Sequence, residues 1–123
     1  MSIAKETKRD ERLDAIFHAL SDATRRRIIA ELARGSQAVT ELALPFPISL
    51  PAISKHLDVL ERAGLVRRAR EGRFQRCHLT AAALDDASAF IERYRAYWHT
   101  NLDQLAAFVE ASATPARAKK AKK

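Results

Sequence analysis

Only one cysteine, Cys77, occurs in 123 residues. A disulfide framework within the chain and a Cys-rich zinc module are therefore both excluded. Only three glycines are present, and they form no Gly-rich loop of the kind that cradles phosphate. The patterns GxSxG and HExxH are missing, and the lone cysteine has no orienting His/Asn pattern. Enzyme readings fail for want of a catalytic constellation. A chain of this length makes one domain with one modest core, too small for a scaffold with a deep cleft. No apolar run approaches the roughly 18 residues that a membrane span needs. The opening stretch MSIAKETKRDER lacks the apolar segment of a signal peptide. The expectation is a cytoplasmic protein with no membrane partner and no cofactor.

Charge is present in excess, and it is unevenly placed. Lys and Arg number 22 against 15 Asp and Glu, a net charge of +7. The last nine residues, PARAKKAKK, hold five of the basic groups and no acid. That stretch has no apolar periodicity, so residues 113–123 read as a disordered basic tail. Residues 54–79 carry seven basic groups against three acidic ones, a net of +4. Residues 80–114 carry two against five, a net of −3. The basic middle suits an anionic partner such as nucleic acid. The acidic last segment should face away from it.

Hydrophobic spacing along the chain reads as helices, then a hairpin, then a long helix. Leu13, Ile16, Phe17 and Leu20 mark a first amphipathic helix. Ser21 or Asp22 can cap a second, which carries Ile28, Ile29 and Leu32 inward. In the run Arg25, Arg26 and Arg27, one buried stem with two solvated neighbours competes with contact to a nucleic-acid backbone. A short third helix covers Thr40 to Leu44, since Pro45 and Pro47 forbid its extension. Ser49 is a good N-cap for a fourth helix reaching Ala63, with Pro51 tolerated in its first turn and Gly64 stopping it. Ile53, Leu57 and Leu60 form its buried stripe. Leu65–Arg70 and Arg73–Leu79 read as two strands around a Glu71-Gly72 turn. Thr80 is placed to cap a long last helix. There Leu84, Ile91, Tyr94, Trp98, Leu102 and Leu105 form an apolar stripe longer than so small a domain can cover. A homodimer seam through these six residues is the simplest remedy.

Two helices joined by a turn and followed by an Arg-rich hairpin make a winged helix-turn-helix. The expected fold is mainly α, with a small β-hairpin wing and a long C-terminal dimerisation helix. With Ile53, Leu57 and Leu60 turned inward, positions 50, 51, 54, 55 and 58 share the opposite face of the second helix. Ser54 and Lys55 can donate to base edges or phosphates. Near the hairpin tip, Arg70 and Arg73 can reach phosphate or a minor groove. Arg67 or Arg68 is expected to pair with the acidic last helix.

The stretches LSDATRRRIIAEL, ELALPFPISLPAISKHLDVLERAGLV and GRFQRCHLT resemble the ArsR family of bacterial winged-helix repressors over about residues 12–110. The resemblance implies a dimer that binds a palindromic operator on double-stranded DNA and is released by an effector, here unknown. It also implies that Ser49, Leu50, Pro51, Ser54, Lys55 and His56 lie in or near the DNA-reading segment. Many members carry Gln where this chain has Leu50, an exchange that loses pairing to adenine and leaves contact to a thymine methyl. Metal-sensing relatives often carry CxC in the third helix. The corresponding TELALPF has no sulfur, so no soft thiolate site can be built there. The variant LPFPISLPAISKHL with YRAYWHTNLDQL resembles a branch not associated with metal sensing. The organisation expected is a flexible segment 1–11, a DNA-binding and dimerisation domain 12–112, and the basic tail 113–123.

Three further readings compete with this one. His99 and Asp103, four residues apart, permit half of a metal site, although solvated residues on a dimerising helix explain them as well. Cys77 next to Arg76 and His78 permits a redox-responsive thiol, against the plainer reading of a small buried side chain. The long helix could also recruit another protein, with DNA contact incidental.

Overall fold

The computed structural model describes residues 2–112. Its elements run α1 (Ser2–Leu20), α2 (Ala23–Ala33), β1 (Gln37–Ala38), α3 (Val39–Ala43), α4 (Leu50–Arg62), β2 (Val66–Glu71), β3 (Phe74–Leu79) and α5 (Ala82–Ser112). The three strands form one antiparallel sheet in the order β1-β3-β2. The chain divides into two compact units, one ending at Ser88 and one starting at Ala89, so α5 begins in the first and makes up the described part of the second. The basic tail expected over residues 113–123 lies outside the described residues.

Helix α1 starts much earlier than its apolar spacing suggests. The stretch expected to be flexible is helical from Ser2 on. It holds two Lys, two Glu, one Ala and one Arg and neither Gly nor Pro, so intrinsic propensity favours the helix. Residues 3–12 are exposed and add nothing to the core. Burial begins with Leu13, Ile16 and Ala19.

The α1–α2 corner is held by polar groups. Asp22 caps α2, its carboxylate accepting from the Arg25 amide at 3.0 Å. The Ser21 hydroxyl instead donates to the His18 carbonyl at 2.6 Å. The last carbonyls of α1 have no partners within their own helix. Arginines of α2 supply them: Arg25 Nε donates to Ala19 O at 2.8 Å, Arg25 Nη2 to His18 O at 3.1 Å, and Arg26 Nη1 to Leu20 O at 2.7 Å. Arg25 is buried while Arg26 and Arg27 are exposed.

Helix α4 is bounded at both ends by local chemistry. The Ser49 hydroxyl accepts from the Ala52 amide at 3.2 Å, and Pro51 sits in the first turn. At the other end Gly64 takes φ of +77°. The Leu65 amide then donates to Leu60 O and the Gly64 amide to Glu61 O, each at 2.9 Å, a Schellman closure that needs a residue comfortable at positive φ. Between these ends Ile53, Leu57 and Leu60 are fully buried. They join Ile16, Ile28, Leu42, Leu65, Val66, Cys77 and Ala87 in a single cluster.

The wing and the start of the last helix depart from their sequence reading in three ways. Residues Glu71 and Phe74 pair, so the turn is Gly72-Arg73 and not Glu71-Gly72. Gly72 has φ of +64° and Arg73 has no positive φ, as in a type II′ turn, whose first position favours glycine. A third strand, β1, pairs Gln37 with Cys77 and Ala38 with Arg76; two residues are too few for a period-2 signal. Helix α5 opens at Ala82, one residue too late for Thr80 to cap it. The Thr80 amide closes the wing by donating to Leu65 O at 2.8 Å.

The Arg25 amide holds the Asp22 carboxyl below the usual carboxylate range, against a smaller opposing effect of burial. The folded state therefore binds fewer protons than the unfolded one near acid pH. The stabilisation is complete above the unfolded pKa of about 4 and is lost as pH falls through the folded value. Asp22→Ala should cost about 1 kcal/mol at neutral pH, the usual loss of an N-cap. Asp22→Asn should retain the cap and weaken the acid-side fall in stability. Denaturant unfolding of all three proteins between pH 3 and pH 7, roughly spanning that titration, measures both effects. Parallel acid slopes for wild type and Asp22→Asn would remove Asp22 from the account.

Candidate nucleic-acid interface

With one stripe of α4 in the core, its other face is forced outward. Leu50, Pro51 and Lys55 are exposed there, and Ser54 is half-buried. Ser49 stands at the helix start with its oxygen engaged in capping. His56 is also half-buried, but Arg25 and Asp22 hold it. Its Nδ1 lies 3.3 Å from Arg25 Nη1 and 4.0 Å from Asp22 Oδ2. That links α4 to the α1–α2 corner, and His56 does not stand on the open face with Lys55.

The wing arginines look alike in sequence and differ in environment. Strand register puts Val66, Arg68, Arg70, Gln75 and Cys77 on one face, and Arg67, Ala69, Arg76 and His78 on the other. Arg76 Nε lies 3.2 Å from Glu71 Oε1, and its Nη1 donates to Ser36 O at 3.1 Å. Arg68 does not pair with the acidic last helix. It shares the face of Val66 and Cys77, and so reaches α4. Nε and Nη2 donate to Glu61 Oε1 at 2.9 and 2.8 Å, and Nη2 also donates to Asp58 Oδ1. Burial alone would lower the Arg68 pKa, but the hydrogen bonds to Asp58 and Glu61 outweigh it and raise the pKa above its ordinary value. Arg67, Arg70 and Arg73 are exposed and form no ion pair among the described residues. The structure thus brings Lys55, Arg70 and Arg73 forward as free cations, joined by Arg67.

Cys77 sits in the central strand and is fully buried. Burial pushes its thiol pKa up; Arg68 opposes this and Glu61 adds to it. A reactive thiolate needs the opposite setting, exposed and electropositive. Among the described residues no three His, Cys, Asp or Glu side chains are grouped to hold a metal ion, and no helix is long and apolar enough to cross a membrane. On α5, Leu84 is half-buried against the core of its own unit. Ile91, Tyr94, Trp98, Leu102 and Leu105 are exposed, Trp98 by 61% and Leu105 by 57%.

Comparison with known proteins agrees with this geometry. A family model described as a helix-turn-helix domain matches residues 20–69, from the end of α1 into β2. The transcriptional repressor SdpR of Bacillus subtilis is 36% identical over 75 residues, covering 61% of this chain and 83% of SdpR. The HTH-type transcriptional regulator Rv2034 of Mycobacterium tuberculosis is 53% identical over 53 residues, covering 43% of this chain and only 50% of that protein. The crystal structure of the ArsR family transcriptional regulator RHA00566 superposes with a TM-score of 0.69 at 36% identity, covering 73% of this chain and 93% of that one. The chain belongs to the ArsR family. It is a DNA-binding transcriptional regulator with a winged helix-turn-helix.

Within this ArsR-family chain, α3 and α4 are the helix-turn-helix and β2–β3 is the wing. The apolar turn between the helices leaves Leu44 exposed by 82% and seats Phe46 partly against the core. The buried thiol gives this member a direct test. Labelling of Cys77 by a neutral-pH thiol reagent should be at least about tenfold slower in the native protein than in denaturant, because the thiolate is scarce and covered. Equal rates would make Cys77 a reactive group after all.

Proposed function

We propose that the chain is a dimeric repressor of a palindromic operator. Each protomer inserts α4 into a major groove and lays the wing tip along flanking phosphate or minor groove. The observation that carries this reading is the selective freedom of Lys55, Arg70 and Arg73. Arg68 and Arg76 of the same region are engaged within the fold, whereas these three, like Arg67, project without partners among the described residues. Ser49, Leu50, Pro51 and Ser54 line the first turns of the same helix, and Leu50 offers an apolar contact to a thymine methyl. His56 contributes by fixing the helix to Arg25.

The dimer seam runs along α5 through Ile91, Tyr94, Trp98, Leu102 and Leu105, with Leu84 at its inner margin. These exposed aromatic and aliphatic side chains form a stripe that a second copy would cover, and cyclic dimers are the commonest closed assemblies. The protein acts in the cytoplasm without catalytic chemistry, and release from DNA depends on a signal other than a thiolate-bound metal. The burial of Cys77 argues against the redox alternative. Recruitment of another protein by α5 is the second outcome of the experiments below.

Selection from a randomised duplex pool, followed by binding measured across salt concentration, tests the DNA face. Removing one phosphate-binding cation should flatten the slope of log K against log salt by about 0.9. Lys55→Ala and Arg73→Ala should each weaken binding and flatten that slope. Unchanged affinity and slope in both variants would contradict the assignment. For the seam, Trp98→Glu should shift sedimentation from dimer to monomer; a dimer that persists would place the interface elsewhere.

A further inference from the structure

Asp58 and Glu61 are out of place on a helix that enters a groove walled by phosphate. With Ser54 they follow the spacing i, i+4, i+7, so the three share one stripe of α4 beside Lys55. Their side chains remain 49% and 39% exposed. Left alone, two carboxylates on this stripe would repel the DNA backbone.

Arg68 answers both of them from the wing. Its side chain is only 16% exposed. A guanidinium has five N–H donors in a fixed fork. Nε serves Glu61, Nη2 serves Glu61 and Asp58, and Nη1 lies 3.5 Å from Ser54 Oγ. The Arg68 backbone amide also donates to Glu61 Oε2 at 3.4 Å. Its donors are therefore turned inward, although Arg67 and Arg70 on either side stay exposed.

We propose that Arg68 is a positioning residue for DNA binding that masks the two carboxylates of α4. Cross-strand pairing of Arg68 with Cys77 holds it on the α4 side of the sheet. One cation then brings the local charge of the Arg68–Asp58–Glu61 group from −2 to −1. The hydrogen bonds also orient the carboxylates toward the protein. The proposal rests on the DNA-binding reading above and adds a specific electrostatic role within it.

The test uses the full chain and a duplex selected from a randomised pool, with binding followed across salt. Arg68→Met should lower affinity about tenfold near 0.1 M salt, and the deficit should shrink as salt rises, because repulsion by exposed carboxylates is screened beyond a Debye length of about 10 Å there. A purely structural loss would not fade with salt. The triple variant Arg68→Met/Asp58→Asn/Glu61→Gln should regain wild-type affinity to within about threefold, since no carboxylate remains to mask. Asp58→Asn/Glu61→Gln with Arg68 retained should bind more tightly than wild type and with a steeper salt slope, because the freed cation adds to the basic face. These last two variants leave no uncompensated carboxylate, so the proposal stays testable even if Arg68→Met unfolds. A triple variant as weak as Arg68→Met, or a double variant no tighter than wild type, would overturn the masking role while wild type still binds. Failure of wild type to bind any selected duplex would instead overturn the DNA reading itself.

Discussion

The arrangement depends on the three side chains that α4 buries. Ile53, Leu57 and Leu60 are each completely removed from solvent, a contribution of roughly 1.5–3 kcal/mol per side chain. Helical geometry then gives the opposite face no freedom to hide. Lys55 is exposed because Leu57 is not. Ser49 and Gly64 fix where the helix starts and stops, so the outward residues are set in rotation and in position along the axis. His56 adds a polar tie to Arg25, whose guanidinium also satisfies the end of α1.

From that anchored helix the charges sort themselves. A net +4 over residues 54–79 suggests a uniformly basic region. The structure shows a division of labour. Arg68 and Arg76 face acids within the fold, at Asp58 and Glu61 and at Glu71. Arg67, Arg70 and Arg73 do not. Even-numbered and odd-numbered positions of β2 point to opposite faces, and only the face shared with Val66 and Cys77 looks toward α4. Residue identity is the same at positions 67, 68 and 70: register turns Arg67 to the other face, and Arg70, on the face of Arg68, lies two residues nearer the wing tip and is exposed.

Much of this was legible in the sequence. The helix-turn-helix, its Ser49 cap, the stop at Gly64 and the inward stripe follow from local chemistry and 3.6-residue spacing. Asp22 capping and a single buried arginine in the run 25–27 were visible as alternatives, which packing resolved. Three features were not legible. The early start of α1 has no apolar periodicity, because residues 3–12 touch no core. Strand β1 is two residues long and exists only because β3 lies beside it. The Arg68 contacts cross from a strand to a helix 7 to 14 residues away, and charge counting alone directed that arginine to the acidic last helix. Leu84, expected in the seam, also packs against the core of its own unit. Its spacing matches the stripe, but the first turns of α5 still belong to the domain that precedes them.

The central claim is that the open face of α4 and the tip of the wing meet DNA while α5 does not. Backbone amide chemical shifts recorded on titration with a selected operator duplex test it most directly. Perturbations should concentrate at Leu50 to Lys55 and at Arg70 to Arg73, with Ile91 to Leu105 nearly unmoved. Shifts confined to α5, with α4 and the wing unchanged, would contradict the account.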